Sequence, residues 1–158
     1  MSTTLKYIKL SDLLEKYSTH IELIKNKYLN LLSELTEVTD LSSEIFINNI
    51  NAIHKMGTII ICYKETPLSD KFDIVGSGTI IIEPKLIHGG KSVGHIEDIV
   101  TNCNYRGKGV AKDILDFLIQ EGREKNCYKI ILDCVEKLES FYSKNGFKKK
   151  GIQMSLYF

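Results

Sequence analysis

Residues 94–118 read "GHIEDIVTNCNYRGKGVAKDILDFL", and the order of parts within that run decides the fold. A β-branched stretch comes first, then the polar spacer "TNCNYR", then two glycines flanked by cations, then an apolar pattern of helical period. Gly107 and Gly109 lack Cβ atoms, so the backbone can turn tightly and present successive N–H groups at a helix N-terminus, where they bind phosphate. Arg106 and Lys108 add charge beside those donors, which points to a diphosphate rather than a lone carboxylate. Val110, Ala111, Ile114, Leu115, Leu118 and Ile119 then follow the i, i+3, i+4 rule, while Lys112, Asp113, Asp116 and Gln120 face away, as in one amphipathic helix. A Walker A loop would end in Gly-Lys-Ser or Gly-Lys-Thr, and this loop does not. A dinucleotide fingerprint fails at Lys112, where its last glycine should stand, although Asp133 after the next strand imitates its ribose-binding acid. The preceding strand decides between them. In a doubly wound sheet it would be almost entirely apolar, whereas here Glu97 and Asp98 stand side by side.

Working outward, "LKYIKL" (5–10) alternates as a short strand. Ile21, Ile24, Tyr28, Leu31, Leu32 and Leu35 share one face of a helix within residues 20–38. A second helix begins near residue 42, where Ser42 or Ser43 can cap it and Glu44 suits the positive end of its dipole. Three β-branched runs follow at 57–64, 72–83 and 92–100, separated by "ETPLSD" and "HGGKS", connectors short enough for an antiparallel meander. After the amphipathic helix, "YKIILDC" (128–134) reads as a buried strand, "LESFYSKN" (138–145) as a short helix and "GFKKKGIQMSLYF" (146–158) as a last alternating strand. The expected architecture is α/β: a mostly antiparallel mixed sheet with one strand-helix-strand crossover and helices on both faces.

The 158 residues suit a single domain spanning 1–158, and with two prolines and no low-complexity tract there is no linker to divide it. The charges nearly cancel, to +1, which argues against a nucleic-acid or anionic-membrane partner and makes any anion site local. No run approaches the roughly 18 apolar residues of a spanning helix or resembles a signal peptide, so a soluble, cytoplasmic protein is expected. Cys62, Cys103, Cys127 and Cys134 show no metal-ligand spacing and read as buried thiols.

"RGKGVA" (106–111) fits a pattern of Arg or Gln, two residues, Gly, one residue, then Gly or Ala, and on it the chain resembles the GNAT superfamily of N-acetyltransferases. "EPKLIHGG", "GHIEDIV", "NCYKIILDC", "FYSKNGF" and "GIQM" narrow the resemblance to the branch acting on glucosamine 6-phosphate, from about Leu35 to the C-terminus. What the resemblance implies is a GNAT fold and direct acetyl transfer from acetyl-CoA to the sugar 2-amine, on the route to UDP-N-acetylglucosamine, with no acyl-enzyme and no metal. The CoA pyrophosphate would lie on the amides of Gly107, Lys108, Gly109, Val110, Ala111 and Lys112, beside Arg106. Its pantetheine arm would pair with Ile99, Val100 and Thr101 on a strand that splays from its neighbour.

The attacking amine must be neutral, so a group must take its proton; Glu97 and Asp98 stand at the family's substrate contacts, with Ile99 beside them. Strict alternation would point the two acids to opposite faces, leaving only one of them in the site, with backbone carbonyls as another way to hold the amine. Asp133 matches a partner for sugar hydroxyls or amine. Tyr142 matches the tyrosine whose hydroxyl faces the CoA sulfur. Lys85, His88 and Lys129, with Thr36, Leu86, Ile87 and Tyr128, match the sugar-phosphate contacts, in a site shared across a homodimer to which the apolar ending "IQMSLYF" could contribute. The chain departs from the pattern at Val135, Leu138 and Tyr157, where relatives carry polar or basic residues. Two rival readings are a GNAT acting on another amine, such as a polyamine or protein N-terminus, and a noncatalytic acetyl-CoA-binding module.

Overall fold

The computed structural model describes residues 4–65 and 72–158, so most of the expected "ETPLSD" connector lies outside the described residues. Among the described residues five strands and five α-helices follow one another: β1 (Leu5–Lys9), α1 (Leu10–Lys16), α2 (Ile21–Leu32), α3 (Ser43–Met56), β2 (Gly57–Glu65), β3 (Phe72–Glu83), β4 (Ser92–Thr101), α4 (Val110–Glu124), β5 (Cys127–Leu132) and α5 (Glu139–Lys144). The five strands form one sheet in chain order. Neighbours are antiparallel except β4 and β5, which run parallel because α4 carries the chain back between them. This is the mostly antiparallel sheet with a single crossover that the sequence implies.

Helices cover both faces. On one, Leu10 and Leu13 of α1, Ile24, Tyr28 and Leu31 of α2, and Phe46 and Ile50 of α3 pack on Ile59, Ile61 and Val100. On the other, Val110, Ile114, Leu115 and Leu118 of α4 and Tyr142 of α5 pack on Ile60, Cys62, Val75, Ile80 and Ile96. A fully buried side chain such as Leu118 contributes about 1.5–3 kcal/mol. Two glycines set how closely α4 approaches β3. A Cβ on Gly76 would come within 2.6 Å of Val110 Cγ1, and one on Gly78 within 2.7 Å of Ile114 Cγ2. α3 starts where its cap predicts: Ser42 Oγ accepts from the Ile45 N–H at 3.2 Å, worth about 1 kcal/mol. Buried Glu121 ties α4 to the far end of the sheet, accepting from Thr58 Oγ1 at 2.9 Å and pairing with Lys9 at 3.1 Å.

Several expectations change. Leu10 opens α1 instead of closing the first strand; this seven-residue helix has no side-chain cap and owes its existence to burial of Leu10 and Leu13. α2 stops at Leu32, where i to i+3 hydrogen bonds from Glu34 and Leu35 tighten the last turn, so Leu35 is 45% exposed and off the apolar face. β5 is a half-exposed edge, not a buried strand. The alternating ending forms no ladder: from Gly146 to Phe158 no residue is in a strand, and Ile152, Met154, Leu156 and Phe158 stand exposed. Alternation makes a strand only where an edge receives it, and this segment does not pair with β5. Of the cysteines expected to be buried only Cys62 is; Cys103 lies in the exposed loop before the glycines and Cys134 just past the end of β5.

Candidate active site

β4 is irregular where the acids stand. Ser77 opposes Val100 and Thr79 opposes Glu97, so Asp98 and Ile99 together face the single residue Gly78. Asp98 takes up the extra residue with φ +53°, in the left-handed region that few non-glycine residues adopt. The bulge resets the alternation. Ile96 and Ile99, three apart, both pack toward α4, while Val100 packs toward α2. Glu97 and Asp98 therefore both lie off the α4 face, and the expectation that they point to opposite faces is wrong. Tyr28 of α2 reports the same placement: burial raises its pKa to about 12 and the charge of Asp98 adds to the shift.

The β4–β5 pairing ends at Ile96 and Leu132, whereas β4 runs on to Thr101. From Asp98 to Thr101 the edge of β4 that turns away from β3 has no strand partner among the described residues. Asp133 and Cys134 follow at the tip of β5. Burial, then the charge of Asp98, then that of Asp133 push the Glu97 carboxyl above its ordinary range, so the three acids share one neighbourhood. Tyr142, on α5, lies near Cys134. Its ring is buried against Phe141 and Phe147, and its pKa is raised by burial and then by Cys134, which keeps the hydroxyl protonated.

Beyond β4 the spacer leads to the glycines. Gly107 has φ +74° and Gly109, the residue that caps α4, φ +85°; a Cβ on either would meet nothing within 4 Å. The left-handed turns thus open outward at the N-terminus of α4, whose first-turn amides have no intrahelical partners. Arg106 is not free beside them: its Nη2 pairs with Glu34 at 2.9 Å and its Nε donates to the Thr101 carbonyl at 3.2 Å. Lys108 lies over the Tyr105 ring at 4.8 Å, and Lys112 pairs with Asp116 one turn along α4. Thr101 Oγ1 is buried with no hydrogen-bond partner among the described residues. This unpaired hydroxyl, the open β4 edge and the outward amides fit an extended ligand ending in a diphosphate.

The cations expected at the sugar phosphate gather at the opposite end of β5. His88, with φ +50°, stacks on Tyr128 at 4.1 Å between ring centroids, and Lys129 Nζ lies 5.6 Å from that ring. Lys85 pairs with Glu83, which also holds His95 at 2.6 Å. Leu86 and Ile87 are exposed on the same loop. Thr36 is exposed and lies two residues past Glu34. From Lys129 to Asp133, just past β5, the backbone advances about 13 Å at roughly 3.3 Å per residue, so the cations and the acids stand toward opposite ends of that strand. Glu34, Glu83 and His95 escaped the sequence reading; nothing local marks them, because each is defined by a partner on another element.

A parallel pair that splays at a bulge, beside an amide cradle at the start of the crossover helix, defines an acetyltransferase, and the chain belongs to the acetyltransferase (GNAT) family, whose family model matches residues 26–147. Within that class it is 40% identical over 132 residues to glucosamine 6-phosphate N-acetyltransferase 1 of Dictyostelium discoideum, covering 82% of each chain. It is 39% identical over 133 residues to the glucosamine 6-phosphate N-acetyltransferase of Trypanosoma brucei brucei, covering 83% of this chain and 87% of that one. The crystal structure of the glucosamine-6-phosphate N-acetyltransferase from Arabidopsis thaliana superposes with a TM-score of 0.82 at 32% identity, over 98% of this chain and 99% of the other.

Proposed function

We propose that the chain is an acyltransferase that moves the acetyl group of acetyl-CoA to the 2-amine of glucosamine 6-phosphate. Acetyl-CoA supplies the acyl group already activated on sulfur. The observation that carries the reading is the shared neighbourhood of Glu97, Asp98 and Asp133 where the β4–β5 pairing ends, with Tyr142 near Cys134 at the tip of β5. The amides from Gly107 to Lys112 hold the diphosphate, and the backbone of Ile99, Val100 and Thr101 pairs with the pantetheine arm. Glu97, its pKa raised by burial and by the charges of Asp98 and Asp133, accepts the proton of the incoming ammonium and passes it to water, while Asp98 and Asp133 attract that cation. The neutral amine adds to the thioester carbonyl to form the C–N bond, and the nitrogen gives its second proton to water. The C–S bond breaks as Tyr142 protonates the departing sulfur, and Tyr142 regains a proton from water.

Lys85, His88, Tyr128 and Lys129 supply the sugar-phosphate contacts, with Thr36 as a further hydroxyl. Their separation from Asp133 along β5 supports a homodimer in which each site draws on both chains. The exposed alternating residues Ile152, Met154, Leu156 and Phe158 are suited to pair across it. The reading further places one domain, residues 1–158, in the cytoplasm on the route to UDP-N-acetylglucosamine. No described helix is long and apolar enough to cross a membrane.

Thiol release with glucosamine 6-phosphate, glucosamine, spermidine and a peptide as acceptors tests the proposal. Glucosamine 6-phosphate is expected to exceed the others by at least about 100-fold, as converging charge on a dianion warrants. Equal rates with the plain sugar would remove the cation assignment. Gly109→Val, strained at φ +85°, is expected to abolish CoA retention.

A further inference from the structure

We infer that Glu34 is a positioning residue for the cofactor cradle, a role that rests on the acetyl-CoA reading above. Glu34 stands in the turn that ends α2, with its side chain only 21% exposed, and its carboxylate is fully engaged with the spacer between β4 and the glycines. Oε1 accepts from Asn102 Nδ2 at 2.9 Å. Oε2 accepts from the Cys103 N–H and from Arg106 Nη2, both at 2.9 Å. The spacer is also pinned where the Asn102 N–H donates to the Val75 carbonyl at 2.9 Å and Arg106 Nε donates to that of Thr101 at 3.2 Å.

A loop of two left-handed glycines has little stiffness of its own, because glycine adopts either sign of φ at small cost. Its amides converge on a diphosphate only if the residue entering it is held, and Arg106 is held by Glu34. Arg106 thus serves the cofactor from behind the loop. The planar guanidinium braces the spacer against α2, and its charge is balanced by a carboxylate and not left for phosphate. Glu34 lies two residues before Thr36, so the same turn that braces the cofactor loop carries a proposed acceptor contact.

The test measures CoA dissociation constants by calorimetry for the wild type, E34Q, R106A and the double variant, together with steady-state rates and melting temperatures. Each single variant is expected to weaken CoA about tenfold, and the double variant no more than the worse single, as for two halves of one strut. KM for acetyl-CoA rises in step while kcat changes less than about twofold, because the acids and Tyr142 are untouched. E34D recovers part of the loss, and melting temperatures stay close to that of the wild type. If Glu34 merely cancelled the charge of Arg106, E34Q would free that cation and bind CoA more tightly. Tighter or unchanged binding, or losses that multiply in the double variant, overturns the inference. Hydrogen exchange in ligand-free protein separates the two readings: E34Q is expected to speed exchange of the Cys103 amide about tenfold. Wild type that fails to hold CoA sinks the functional reading alone, and the strut then stands or falls on that exchange.

Discussion

Glu97 shows how much a single bulge changes. The extra residue at Asp98 gathers two carboxylates off one face of β4, and Asp133 brings a third, so desolvation and like charges act on Glu97 together. In the proposed mechanism the deprotonated form accepts the ammonium proton, so kcat/KM should fall as pH drops through this raised pKa. Glu97→Gln is expected to remove that acidic limb and lower the rate about 100-fold. A variant profile that keeps the limb assigns the base elsewhere. Stability follows with the opposite sign to an ordinary salt bridge. A carboxyl with a raised folded-state pKa binds its proton more tightly when folded. Its penalty is therefore absent below the usual carboxylate range and fully present once pH has risen past the raised pKa. Glu97→Gln should melt higher than the wild type at neutral and alkaline pH, and the gap should close in acid, as calorimetric scans across pH would record.

Among the elements, α4 matters most, because its N-terminus is the proposed cradle and its body is seated on β3. The seat depends on absent side chains: Gly76 and Gly78 leave room for Val110, Ile114 and Leu118. Gly78→Ala would place a methyl 2.7 Å from Ile114 Cγ2 and 3.2 Å from Ile99 Cγ1. It is expected to cost about 1–3 kcal/mol in denaturant unfolding by overpacking. The same change displaces Ile99 beside the bulge and shifts α4 outward, so CoA affinity should fall with stability. A variant that loses stability but binds CoA as well as the wild type would show the cradle to be independent of the seat.

For the whole molecule, the proposed homodimer would cover the open edge of β5, the exposed Ile131, Val135 and Leu138, and the exposed apolar ending. Deleting residues 151–158 is expected to shift the sedimentation coefficient from dimer to monomer. KM for glucosamine 6-phosphate should rise by more than about tenfold, as expected when a shared pocket loses its second half. CoA binding, built within one chain, should hold. A truncated protein that stays dimeric and keeps its acceptor KM would place the interface away from the tail.

The residues from Gly94 to Leu118 carried the family, the crossover and the cradle in their own order, since a glycine's freedom and a helix's period are properties of neighbours along the chain. Asp133 and Tyr142 are proposed for the same reason, each lying within a short matched block. Four features waited on the folded chain. The bulge at Asp98 exists only against Gly78 of β3, α1 only because the core takes Leu10 and Leu13, and the Glu34–Arg106 pair joins residues 72 apart. The last, the alternating ending, has the pattern of a strand but pairs with no edge among the described residues. Local rules reach a few residues in either direction; hydrogen bonds and burial join whatever the fold brings together, and no window of sequence records those partners.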